Sequence, residues 1–179
     1  VYHPTRGDIL LNGYSTAGKS TWQVSQMGVA RTFQNIRLFS NMSVLDNVRV
    51  GMHSRMKENL AASVFHAFGY GKAEKAAADT AMELLDFFHL ADHANEQAGS
   101  LPYGAQRRLE IVRAMATRPS VLLLDEPAAG MNPSETLELM ENIRRIRDTF
   151  HIAIVLIEHD MSLVMGICEG ICVLNYGRV

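Results

Sequence analysis

Two apolar runs in the second half of the chain each end in acidic residues. Val121-Leu122-Leu123-Leu124 runs straight into Asp125-Glu126-Pro127, and Ile152-Ala153-Ile154-Val155-Leu156-Ile157 runs into Glu158-His159-Asp160. A continuous apolar run between polar segments reads as a strand buried on both faces, as in a parallel sheet. Between the two runs, Leu137, Met140, Ile143 and Ile146 recur at helical spacing after a capping Ser134, with Arg144, Arg145 and Arg147 outward on a solvated face. A short helix over 161–167 then leads to a third strand over 171–174 and a turn at Tyr176-Gly177. Strand, helix, strand, helix, strand is the order of a parallel α/β sheet.

The first half has a different rhythm. Asp8-Ile9-Leu10-Leu11 predicts a short strand with Asn12-Gly13 as its turn. Residues 27–34 lean towards strand and end in Gln34. Ser43 is an N-cap candidate for a helix opening at 42–48. Residues 51–72 are mixed, with Gly69 and Gly71 as breakers, and read as the most mobile stretch. From Lys72 to Phe88 the chain is alanine-rich and helical, and Ala77, Ala81, Leu84, Leu85 and Phe88 form a core stripe. Ser100 to Gln106 has turn chemistry, and a strong helix follows over 107–116, ending before Arg118-Pro119.

Composition narrows the class. At 179 residues the chain is one domain's worth, with 47% hydrophobic residues for a core. A net charge of -2 gives no basic field for nucleic acid. No apolar run reaches membrane-spanning length and no signal peptide is visible. Cys168 and Cys172 have no partnering His/Cys pattern, so they are expected to be buried small residues in a reducing, cytoplasmic setting. Neither end reads as a natural terminus, and the expectation is a piece of a longer protein.

The acidic strand end carries the candidate chemistry. The carboxyl edge of a parallel sheet is where ligands of open α/β folds bind. There Asp125 suits Mg²⁺, which prefers a few carboxylates plus phosphate oxygens. Glu126 is placed to polarise an attacking water. A His at the end of the neighbouring strand, His159, can sit over the same ligand. The loop before the 107–116 helix is an anion site by geometry, since free N–H groups and the helix dipole point at the ligand.

A second motif competes for the phosphate. Gly13-Tyr14-Ser15-Thr16-Ala17-Gly18-Lys19-Ser20 fits the phosphate-cradling pattern G-x-x-x-x-G-K-[ST]. Three observations oppose it. The strand before it is short and ends in a turn. The segment from Thr21 has weak apolar periodicity and poor helix formers. Gln34 follows Lys19 by only about fifteen residues, too few for a phosphate-loop helix and the strands that should separate the two. The match is expected to be coincidence.

Several segments in order resemble one family, the ATP-binding subunits of ABC transporters. Asp125-Glu126 resembles the Walker B motif with its catalytic glutamate, and Leu101-Pro102-Tyr103-Gly104-Ala105-Gln106 the LSGGQ signature, with Pro102, Tyr103 and Ala105 as departures. Gln34 resembles the Q-loop glutamine, His159 the switch histidine, and Ala129-Gly130-Met131-Asn132 the D-loop. The stretch from Arg31 to Phe39, the Tyr-Gly signature, Asp125 to Pro133, and Ile157-Glu158-His159-Asp160-Met161 look like the branched-chain amino acid importers, above all the first of their two ATPase subunits. Urea and short-amide importers are the close alternative.

The resemblance implies an α/β fold: a P-loop NTPase-type parallel sheet, a helical sub-lobe over roughly 40–118 that carries the signature, and a short antiparallel N-terminal segment. It implies that residues 1–179 are one nucleotide-binding domain, incomplete at both ends, whose true Walker A loop lies upstream of Val1. It implies ATP and Mg²⁺ as cofactors and catalytic roles for Glu126 and His159. Nucleotide contacts would come from Gln34, Asp125, Ser100, Leu101, Tyr103, Gly104, Gln106 and Asn132, with Asp125 and Gln34 towards the metal. Implied partners are a second ATPase subunit in a head-to-tail dimer, transmembrane permease subunits and, indirectly, a periplasmic binding protein. The place implied is the cytoplasmic face of the inner membrane, as a peripheral subunit. Two other classes compete: an ABC ATPase of DNA repair or translation, disfavoured by the charge and the lack of a coiled-coil insertion, and a truncated non-catalytic interaction module.

Overall fold

The Asp125 strand is the middle of a three-stranded parallel sheet in the computed structural model, which describes residues 4–53 and 70–179. Its strands are β3 (Val29–Arg31), β4 (Val121–Asp125) and β5 (Ala153–Ile157), in the order β3-β4-β5. The register pairs Arg31 with Leu123 and Asp125 with Ile157. All three strands therefore deliver their carboxyl ends to one edge.

The burial of these strands corrects the expectation of two covered faces. On β4, Leu122 and Leu124 are fully buried, while Val121, Leu123 and Asp125 are half-buried. Each buried leucine contributes about 1.5–3 kcal/mol of hydrophobic stabilisation. β5 was expected to be buried too, yet Val155 and Ile157 are exposed. The physical reason is cover: the face of β5 that carries Ala153, Val155 and Ile157 has nothing packed over it among the described residues. The strand expected over 171–174 does not form. Among the described residues Ile171, Val173 and Leu174 are exposed and enter no ladder, and an Asn175–Arg178 bridge closes the expected Tyr176-Gly177 turn. Strand-like composition without a partner edge makes no strand.

At the N-terminus, β1 (Leu10–Leu11) and β2 (Tyr14–Ser15) form an antiparallel ribbon separate from the parallel sheet. Asn12 and Gly13 turn it with φ of 50° and 81°, as a two-residue hairpin loop requires. Next comes α1 (Thr21–Gln26), which the weak apolar pattern argued against. A capping box supplies what the pattern lacks: the Ser20 hydroxyl accepts from the Gln23 N–H, and the Gln23 side chain accepts from the Ser20 N–H. α1 packs against β3.

Helices α2 (Val44–His53), α3 (Tyr70–Phe87) and α4 (Tyr103–Met115) pack together beside the sheet. Ser43 caps α2 as expected, its hydroxyl accepting from the Asp46 N–H at 3.0 Å. Ala81, Leu85 and Phe88 of the predicted stripe are fully buried. They join Leu109, Ile111 and Val112 of α4 and Leu122 and Leu124 of β4 in one core cluster. The stretch expected to be mobile lies mostly outside the described residues; its two ends, 51–53 and 70–72, are helical.

α5 (Pro133–Phe150) and α6 (Met161–Ile167) flank β5 in sequence. Three expectations for α5 change. Its cap is Asn132, with Pro133 at the first helical position and Ser134 already inside. Leu139, not Leu137, faces the core with Ile143 and Ile146. The arginines are not simply solvated: Arg144 donates to the Gly166 carbonyl, Arg147 pairs with Glu169, and Arg145 lies 4.3 Å over the Phe87 ring. The cysteines also differ from expectation, Cys168 being half-buried and Cys172 exposed.

Candidate active site

Asp125 closes β4, and its Oδ2 accepts a 2.7 Å charge-assisted bond from the Arg31 guanidinium at the end of β3. The parallel pairing of β3 and β4 brings the two ends side by side. One residue later the chain leaves the sheet. Glu126 takes φ of 44° and donates its N–H to the Ile157 carbonyl at 2.9 Å. A left-handed conformation in a glutamate costs about 1–2 kcal/mol, and the bond to the β5 end offsets part of it. This kink presents the Glu126 carboxylate to Gln34, whose Nε2 donates to Glu126 Oε2 at 2.7 Å. Asp125, Glu126 and Gln34 are thus brought together.

Glu158, just after β5, bonds to the loop after β4 at the same edge. Its side chain is buried, with Oε1 accepting from the Ala128 N–H at 3.0 Å and Oε2 from the His159 N–H at 3.1 Å. His159 itself has a ring 81% exposed, and its Nδ1 lies 3.9 Å from Glu158 Oε2, beyond hydrogen-bonding distance. Among the described residues its ring bonds to none of Asp125, Glu126 and Gln34.

The signature residues form a second group. The expected turn over 100–106 is shorter than predicted, because α4 already begins at Tyr103. Gln106 N–H is the first donor of the helical ladder, to the Pro102 carbonyl at 3.0 Å. The N–H groups of Tyr103, Gly104 and Ala105 therefore lie ahead of that ladder, at the positive end of the helix dipole. Pro102 at the cap position makes no side-chain bond to them. Ser100 and Gln106 bond to their own loop instead: the Ser100 hydroxyl donates to the Gln97 carbonyl at 2.7 Å and the Gln106 amide to the Leu101 carbonyl at 2.8 Å. Leu101 is buried in the core. Gly104 lies close to α5: a Cβ there would be 2.8 Å from Glu135 Oε1, the far end of a side chain that can shift. Asn132 uses its side chain as the α5 cap, its Oδ1 accepting from the Glu135 N–H at 3.0 Å.

Four contributions were not visible as site chemistry in the sequence: Arg31, Glu158, Arg107 and the Tyr103 hydroxyl. Arg107 has no exposed side-chain surface and donates to both the Phe33 and Gln34 carbonyls. The Tyr103 hydroxyl donates to the Ala129 carbonyl at 2.9 Å, in the loop after β4. The available signal was positional: Arg31 stands three residues before Gln34, and Glu158 ends a run parallel to the one ending in Asp125. Further along α4, burial pushes the Arg113 guanidinium below its ordinary value, opposed by the Glu110 charge.

The donor set fits Mg²⁺ held jointly with a nucleotide. Among the described residues no three His, Cys, Asp or Glu side chains cluster as a metal cage. Mg²⁺ is ordinarily held by one or two carboxylates together with phosphate oxygens, and Asp125 supplies one. Arg31, 54% exposed, can swing off that carboxylate.

A parallel sheet with a strand-end Asp-Glu pair, a glutamine bonded to the Glu and a helix-opening glycine motif define a nucleotide-binding domain. Residues 1–129 match the family model of the ABC transporter, and the chain belongs to that family. The chain is 47% identical over 176 residues to the high-affinity branched-chain amino acid transport ATP-binding protein LivG of Escherichia coli, and 44% identical over 176 residues to BraF of Pseudomonas aeruginosa, which carries the same description. Each match covers 98% of this chain and 69% of the relative. Among solved structures it is similar to the ADP conformation of MJ1267, an ATP-binding cassette of an ABC transporter, with a TM-score of 0.74 and 25% identity. That likeness covers 92% of this chain and 64% of the other, so the chain spans less than two thirds of that structure. No described helix is long and apolar enough to cross a membrane.

Proposed function

We propose that this chain is the nucleotide-hydrolysing part of an ABC importer of branched-chain amino acids. The hydrolysis reading is carried by the Gln34–Glu126 bond beside Asp125 at one sheet edge. The 47% identity to LivG supports the choice of solute.

In this reading ATP is the substrate, and Asp125 and Gln34 would hold Mg²⁺, which would supply neutralisation of the phosphate charge. Glu126 orients the attacking water and accepts its proton; the bond from Gln34 holds the carboxylate where the water enters. Gln34 thereby reports nucleotide to the membrane subunit. His159, exposed at the end of β5, is free to reach the terminal phosphate of an incoming nucleotide. The free N–H groups of Tyr103, Gly104 and Ala105, with Ser100, Leu101, Gln106 and Asn132 shaping the surrounding loops, meet the phosphates of a second ATPase subunit packed head to tail. Phosphoryl transfer of this kind is positioning and charge stabilisation. Residues 1–179 form one nucleotide-binding domain in this reading, with roughly 40–118 as its helical sub-lobe. The assembly includes transmembrane permease subunits, and indirectly a periplasmic binding protein, with this subunit peripheral on the cytoplasmic face of the inner membrane.

The test uses the complete protein with its permease partners in vesicles. Binding protein loaded with leucine, isoleucine or valine is expected to stimulate ATP hydrolysis, and urea or a short amide is not. Stimulation by urea alone would transfer the reading to the urea importers. Complete absence of hydrolysis would favour a non-catalytic module.

A further inference from the structure

A buried arginine in a signature helix needs a reason. Arg107 and Glu110 sit one turn apart on α4, with side chains 0% and 2% exposed, and bond at 3.0 Å. Buried ion pairs of this kind are weak contributors to stability, because desolvation offsets their attraction. Arg107 Nε also lacks a hydrogen-bond partner among the described residues, a further cost. The other guanidinium donors are spent on positions that matter to the site. Nη1 donates to the Phe33 carbonyl at 2.7 Å, and Nη2 to the Gln34 carbonyl at 2.6 Å and the Tyr103 hydroxyl at 3.3 Å.

Followed onward, these bonds close on themselves. The Tyr103 hydroxyl donates to the Ala129 carbonyl at 2.9 Å, and the Ala129 N–H donates to the Glu126 carbonyl at 3.1 Å. On the other side, the Gln34 amide donates to Glu126 Oε2 at 2.7 Å. Glu126 is therefore gripped twice from α4, at its side chain through Gln34 and at its main chain through Tyr103 and Ala129. Arg107 is the junction of both arms. Glu110 adds a third hold on the Q-loop, its Oε1 accepting from the Arg37 N–H at 3.3 Å.

We propose that Arg107 and Tyr103 are positioning residues that lock the Q-loop and the loop after β4 to the signature helix, fixing Glu126 for hydrolysis. Tyr103 is a departure from the glycine of the LSGGQ pattern, and the hydroxyl is what the departure adds. A signature helix that shifts moves Glu126 with it, so engagement of the signature and readiness of the carboxylate are one event. The inference rests on Glu126 being the water-orienting group.

The experiment measures steady-state ATP hydrolysis by the complete protein in its transporter assembly, for Tyr103→Phe, Arg107→Lys and the double variant. Tyr103→Phe removes one oxygen from a half-exposed side chain. It is expected to lower kcat roughly tenfold with KM for ATP changed less than about twofold, since sub-ångström misplacement of a reacting group costs rate rather than affinity. The double variant is expected to lose no more than the worse single variant, because both cut the same ring. Wild-type kcat in Tyr103→Phe, an effect on KM alone, or multiplied losses in the double variant would each overturn the proposal. Should Arg107→Lys not fold, Tyr103→Phe still decides it. Glu126→Gln separates the two levels. If that variant turns over normally, the hydrolysis reading falls; if it is dead while Tyr103→Phe is normal, only the positioning ring falls.

Discussion

Two stretches of this chain carry phosphate-site patterns, and they fold into opposite surroundings. Leu124 to Pro127 leaves the middle strand of a parallel sheet, and its carboxylates are held by Arg31 and Gln34. Gly13 to Ser20 lies on a two-strand ribbon and the turn after it. There Tyr14 and Ser15 are spent on ladder pairing, and the Ser20 hydroxyl on capping α1. Lys19 is exposed and enters no ion pair among the described residues. The eight-residue pattern is complete, yet the strand it requires behind it is antiparallel and two residues long. A phosphate loop works because a buried parallel strand aims backbone N–H groups and a helix dipole at one point. Residue identity without that support specifies nothing.

The sharpest way to break the comparison is at the carboxylate. Glu126→Gln in the complete protein is expected to cut turnover about 10²- to 10⁴-fold, while nucleotide-driven dimerisation persists. The substitution keeps the shape and the reach to Gln34 but removes the base. A turnover rate within a factor of a few of wild type would remove Glu126 from the chemistry.

Stability should separate the same two regions. Leu124→Ala, at a position 1% exposed in the core, is expected to cost about 2–5 kcal/mol of unfolding free energy. Leu10→Ala, on the ribbon and 62% exposed, should stay within about 0.5 kcal/mol. Denaturant unfolding of both variants of the complete protein checks this. Equal losses would mean that the ribbon is anchored elsewhere.

The parts of the fold legible in the sequence are those written in local pattern. The apolar runs gave β4 and β5, and the alanine-rich stripe gave the buried face of α3. Asn12-Gly13 announced its hairpin, and Ser43 its cap. What sequence could not announce depends on neighbours. The 171–174 segment has the composition of a strand but finds no partner edge among the described residues, and the outward face of β5 is exposed because no described element covers it. α1 defeated an argument from periodicity because capping, a matter of two side chains, holds six residues in place. Within the site, Asp125, Glu126 and Gln34 were legible as residues and their meeting was not; it needs the β3–β4 register. Arg107 drew no separate reading in the 107–116 helix, and its side chain is fully buried. The Phe33 and Gln34 carbonyls, brought up from far along the chain, join Glu110 and the Tyr103 hydroxyl in receiving its buried donors.

The smallest effect is expected at the lookalike. Lys19→Ala should leave the nucleotide affinity of the complete protein nearly unchanged. In a working phosphate loop this lysine would pair with the most highly charged part of ATP, and losing a charge-assisted bond should cost about 1.5–3 kcal/mol, or roughly tenfold to a hundredfold in affinity. Here the Lys19 N–H donates to the Thr16 carbonyl at 3.1 Å within a local turn. The helix after it is 6 residues long, packs on the edge strand β3 and leads back into it within three residues. No residue from 13 to 20 bonds to Asp125, Glu126 or His159 among the described residues. An exposed lysine in that setting loses only solvated charge on substitution, within about 0.5 kcal/mol. Nucleotide titration of wild type and variant at equal salt decides it. A tenfold loss of affinity would show that the ribbon reaches the phosphates after all, and the contrast between the two regions would then be one of conformation rather than of kind.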